Sequence, residues 1–82
     1  MLQPDKKQEE LNKAEFLFKA ILASEPRDPS ALNGLGSIEI LRNNLGQAEH
    51  FIRQALEQEP DYSAAKHDLE LVYKIRASRS TQ

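Results

Sequence analysis

The sequence predicts an all-α fold, a row of antiparallel helical hairpins, and three observations carry that reading. Apolar residues recur at helical spacing along four segments, each segment ends at proline or asparagine or at the chain terminus, and the chain matches itself after a shift of 34 residues. The shift brings Leu11 onto Leu45, Ala14 onto Ala48, Glu15 onto Glu49, Leu22 onto Leu56, Glu25 onto Glu59 and Pro26 onto Pro60. It continues past the prolines, with Ala31 on Ala65, Leu35 on Leu69 and Ile38 on Val72. One period relates both halves, so each unit is a single supersecondary element.

The first helix is expected over residues 5–24, with the Asp5 carboxylate capping the opening turn, Gln8 answering three residues later, and Glu25-Pro26 as the stop. Asp28 caps the second helix, Pro29 takes its first position where a missing N–H costs nothing, and Ala31, Leu35, Ile38 and Leu41 carry its apolar face. Asn43 and Asn44 tolerate a left-handed turn and close it. Asn44 then caps the third helix with Gln47 completing the box, and Leu45, Ala48, Ile52, Ala55 and Leu56 form a stripe up to Pro60. The fourth helix, expected over 62–78 with 79–82 as a tail, starts at Asp61 or Ser63 and buries Ala65, Leu69, Val72 and Arg76. Lys74, Arg76 and Arg79 favour the negative end of its dipole. Short loops make neighbouring helices antiparallel. Gly34 and Gly36 each cost about 1 kcal/mol against alanine inside a helix, which implies close approach of another backbone, and the third helix is expected there.

The 82 residues make one domain with a thin core, and 39% hydrophobic with 29% charged residues lies in the globular range. No apolar run is long enough to cross a bilayer, and the N-terminus lacks the charged-then-apolar order of a secretory signal, so a cytoplasmic protein without membrane insertion is expected. A net charge of -2 gives no electrostatic reason to approach nucleic acid. Catalysis is not expected either. His50 and His67 are the only histidines, there is no cysteine for a zinc site or thiol nucleophile, and no phosphate-binding glycine loop is present. Glu9-Glu10 and Glu57 with Glu59 read as solvated helix faces. No metal or cofactor is expected.

The period and these residues resemble the tetratricopeptide repeat, whose pattern is W-x2-L-G-x2-Y, then A-x3-F, then P. Residues 29–60 resemble a complete repeat through Leu32, Leu35-Gly36, Glu39, Ala48, Ile52 and Pro60. Ala14, Phe18 and Pro26 resemble the second helix of a preceding unit, and Leu69 and Tyr73 the first helix of a following one. Leu32 and Glu39 depart from the family's Trp and Tyr, and Glu70 stands where Gly36 supplies a glycine. A long charged side chain there suits only a helix with no further neighbour, so the last helix reads as a solvating cap.

The resemblance implies a module that binds a peptide or protein surface on the inner side of its first helices. Those positions are Asn33, Ser37 and Leu41 on the second helix and Ala64, His67, Leu71 and Lys74 on the fourth. With Lys74 as the lone cation, a clamp for a terminal carboxylate looks incomplete, so the expected ligand is held by apolar and hydrogen-bonding contacts. The leading helix has no cap: Leu11, Ala14, Phe18, Ile21 and Leu22 form the stripe expected to pack on the second and third helices. Phe16, Leu17, Ala20 and Ala23 form another on its open side. Two alternatives follow, self-association as a dimer through Phe16, Leu17 and Ala20, and a fragment of a longer repeat-containing protein or enzyme.

Overall fold

The computed structural model describes residues 5–80, and the chain in it forms α1 (Lys6–Ser24), α2 (Pro29–Leu41), α3 (Leu45–Gln58) and α4 (Ser63–Ser80). No strand occurs among the described residues. Asp5 caps α1 by accepting from the Lys7 amide at 3.0 Å, without a return bond from Gln8, and Asp28 caps α2 by accepting from Ser30 at 3.0 Å. Asn43 turns the chain out of α2 at φ 69°, a left-handed conformation that asparagine tolerates. Asn44 stands at the N-cap position of α3, but its Oδ1 accepts no capping bond; its Nδ2 donates to the Glu39 carboxylate at 3.0 Å. The capping box expected with Gln47 is therefore absent. Arg79 and Ser80, expected in a tail, continue α4, and residues 81–82 lie outside the described chain.

The two proline loops are copies of each other. Glu25 and Glu59 each precede proline, which excludes the helical region for them, and they take near-identical angles of φ -130°, ψ 82° and φ -141°, ψ 87°. The amide of Glu25 donates to Ile21 O at 2.8 Å and that of Glu59 to Ala55 O at 2.9 Å. Asp28 then donates back to Glu25 O, and Tyr62 to Glu59 O, both at 3.1 Å. The period of 34 is thus a period of backbone geometry as well as of residues.

α2 lies between α1 and α3 and also touches α4, while α3 lies between α2 and α4. That central place explains its composition: Ala31, Leu32, Leu35, Gly36 and Ile38 are all buried, covering more than one face. One core cluster joins Leu32 to Leu45, Ala48, Ile52, Ala55, Ala65 and Val72, and a second joins Leu11 to Leu35 and Ile38. Full burial of each Leu, Ile or Val contributes about 1.5 to 3 kcal/mol. The result is a slab of 47 × 42 × 16 Å, little thicker than one helix with its side chains, and not a closed bundle.

The two helical glycines serve different neighbours. A Cβ on Gly36 would sit 2.6 Å from Ile52 Cγ1 and 3.2 Å from Ala48 O, so α3 does approach there as expected. Gly34 instead makes room for the Phe18 ring of α1. Ile21 corrects the expected α1 stripe. Leu11 is buried and Ala14, Phe18 and Leu22 are half-buried, but Ile21 is 38% exposed, because α1 brings its backbone close to α2 alone.

Candidate functional site

Three short loops reverse the chain in turn, so α2 and α4 run in the same direction and present their inner sides together. Ser37 Oγ donates to Asp68 Oδ2 at 2.7 Å and ties these two helices directly. Leu41 lies one turn beyond Ser37 and Leu71 one turn beyond Asp68, so both leucines stand on the same side of the bond; they are 55% and 38% exposed. Ala64, His67 and Lys74 are exposed as well. Two of the seven predicted inner residues differ from expectation. Asn33 is buried, 7% exposed, with its Oδ1 lacking a hydrogen-bond partner, and the Ser37 hydroxyl is engaged by Asp68. For Ser37 the cause is the contact of α4 with α2, which brings Asp68 within reach of its hydroxyl.

The period gives no hint of an acid at Asp68, whose register equivalent is Gly34. Asp68 puts a carboxylate beside the inner surface, unfavourable to an anionic ligand.

A second set of charges crosses the helix seams. Arg42, the C-cap of α2, donates to Glu15 of α1 at 2.9 Å, to Glu39 at 3.0 Å and to Asn12 at 2.8 Å. Arg76 of α4 donates to Glu49 of α3, which also accepts from Arg53 at 2.8 Å. Arg53 in turn donates to the Tyr73 hydroxyl, and Arg79 to Asn43. Glu15 and Glu49 are register equivalents, and so are Arg42 and Arg76, so one ion pair is made twice, at the α1–α2 and α3–α4 seams one repeat apart. The repeat spacing carries this pair, and Arg76, expected on the buried face near the negative end of the dipole, serves as its donor. The hydrogen bond from Arg42 holds the Glu15 carboxyl below its ordinary value against the opposing effect of burial, and Arg76, then Arg53, do the same for Glu49. Arg42 and Arg53 are raised in return, chiefly by Glu15 and by Glu49 respectively.

The outward face of α1 carries Phe16 and Leu17, 72% and 61% exposed, with Ala20 and Ala23 also exposed. Among the described residues no group of three His, Cys, Asp or Glu side chains is placed to hold a metal ion, and no helix is long and apolar enough to cross a membrane.

Stacked helical pairs with identical loops are the geometry of a helical repeat, and the sequence model of the tetratricopeptide repeat matches residues 6–69, from the start of α1 into α4. The chain belongs to the tetratricopeptide repeat family. Members of that family generally mediate contacts between proteins, and this tetratricopeptide chain shares the all-α fold the resemblance implied. It is similar to the TPR repeat-containing protein PA4667 of Pseudomonas aeruginosa, at 40% identity over 42 residues. The match covers 51% of this chain and 7% of that relative, so the chain corresponds to a small part of the longer protein's length. No solved structure matches the tetratricopeptide chain described here.

Proposed function

We propose that the chain is a protein-interaction module whose inner face, along α2 and α4, receives a peptide segment or a protein surface. In this reading α1 is the second helix of a partial repeat, α2 and α3 are one complete repeat over 29–60, and α4 is the cap. The observation that carries it is the pair of exposed leucines, Leu41 and Leu71, on two parallel helices locked together by Ser37 and Asp68. A locked pair presents its side chains at low ordering cost, which favours binding. Leu41 and Leu71 supply the apolar contact, and His67 and Lys74 the polar rim. The module acts without catalytic chemistry or cofactor of its own, in the cytoplasm.

The ligand needs no terminal carboxylate. Asp68 repels one, Asn33 is buried, and Lys74 alone does not make a clamp. Titration with acidic C-terminal peptides, each in free-acid and amidated form, tests this. The expected result is equal affinity for the two forms and loss of binding in Leu71→Asp; affinity that vanishes on amidation refutes the reading. A second reading, that the chain is a docking slice of a longer protein or enzyme, is favoured by the match to only 7% of its relative. Co-purification from the full-length reading frame tests it.

A further inference from the structure

We infer that the outward face of α1 seats a second copy of this chain, in an antiparallel, two-fold dimer centred between Phe16 and Ala20. The inference uses residues away from the inner face, so it stands or falls apart from the proposal above.

The internal repeat supplies the control. α3 has a helix on both sides, yet its equivalents of Phe16, Leu17 and Ala20 are His50, which is exposed, Phe51, half-buried, and Gln54, half-buried. A further helix packed ahead of α1 in the way α2 packs on α3 would therefore leave position 16 facing solvent. Phe16, at 72% exposure, calls for a different cover.

An open, head-to-tail stack of copies is blocked at the other end. For α4 to receive the partner's α1 as α2 receives α3, position 70 would have to do what Gly36 does, where even a Cβ falls 2.6 Å from Ile52 Cγ1. Glu70 is a long charged side chain, exposed on α4. With one end apolar and the other capped, association closes on itself, and the closed solution for a single patch is the two-fold dimer.

The face also complements itself. Phe16 and Leu17 form a ridge, and Ala20 and Ala23, one and two turns on, form a flat stretch. Antiparallel pairing about that centre lays Phe16 over the partner's Ala20 at both ends of the contact. The same register sets Glu9 opposite the partner's Arg27, and both of these exposed charges lack an ion-pair partner among the described residues.

Sedimentation equilibrium of the full chain from micromolar to submillimolar concentration tests this. A monomer–dimer equilibrium is expected, weakened at least about tenfold by Leu17→Glu and by Ala20→Glu with circular dichroism unchanged. Because the chain has no cysteine, a mixture of Phe16→Cys and Ala20→Cys chains is expected to form a mixed disulfide dimer in higher yield than a mixture of Phe16→Cys and Lys74→Cys. A strictly monomeric chain overturns the inference. So does a dimer indifferent to both glutamates, or growth past the dimer.

Discussion

α1 and α3 are two versions of one repeat helix, and they differ chiefly in what surrounds them. Ile52, Ala55 and Ala48 of α3 are fully buried, whereas their equivalents Phe18 and Ala14 are half-buried and Ile21 is 38% exposed. The same pattern of residues therefore holds the fold with different strength at its two positions. In a linear stack, burial is set by the number of neighbours, so energy is concentrated at the middle seam. The outward residues tell the opposite story, polar His50 and Gln54 on the flanked helix and apolar Phe16 and Ala20 on the leading one.

The largest test of that contrast is truncation at matched positions. Ile52→Ala is expected to cost about 2 to 4 kcal/mol in urea unfolding, and Phe18→Ala less, about 1 to 2 kcal/mol, although the deleted side chain is larger. Equal losses would break the comparison. Glycine replacement comes next: Gly36→Ala is expected to destabilise by about 1 to 3 kcal/mol, its Cβ overpacking against Ile52 despite the gain in helix propensity. Gly46, where a Cβ meets nothing within 4 Å, should instead gain about 0.5 kcal/mol as Ala.

The repeated ion pair has a smaller effect. Glu49→Gln and Glu15→Gln are each expected to cost about 0.5 to 1 kcal/mol at neutral pH, both carboxylates being partly solvated. The sign of the pH dependence follows from the lowered values. A carboxyl whose folded value lies below the ordinary 4.5 contributes its full stabilisation above that value and loses it as pH falls through the folded one. Each Gln variant should therefore approach the parent's urea midpoint as the pH is lowered from 7 to 3, while a constant difference would exclude these pairs as the cause. Smallest of all, Leu17→Glu should change the stability of the monomeric chain, measured at low concentration, by no more than about 0.5 kcal/mol.

Much of this architecture was written locally. The helix limits follow from Asp5, Asp28, Pro26, Pro60 and Asn43, since caps and breakers act within a turn or two of themselves. The period placed Ala31, Leu35, Ile38 and Val72 in the core because identical units stack in identical ways. What escaped was the competition between neighbours for the same atoms. Asn44 has the chemistry of a cap, yet its Oδ1 makes no capping bond while its Nδ2 binds Glu39. Asn33 has the register of a groove residue but is buried, and Ser37 is claimed by Asp68. Gly34 showed that something approaches, and the approaching group, Phe18, comes from the other side. Such outcomes depend on which side chains of neighbouring helices meet in a shared space, and spacing along one chain does not encode it.

The recurrence of Glu15–Arg42 as Glu49–Arg76 carries a consequence for building with this chain. Because donor and acceptor both advance by the repeat length, a duplicated copy of residues 29–62 inserted after Tyr62 would find its own Arg42 opposite the existing Glu49, and offer a fresh Glu49 to Arg76. The tile already contains both halves of its connector, so longer arrays require no redesign of the joint, and each added tile converts one terminal helix pair into an interior one.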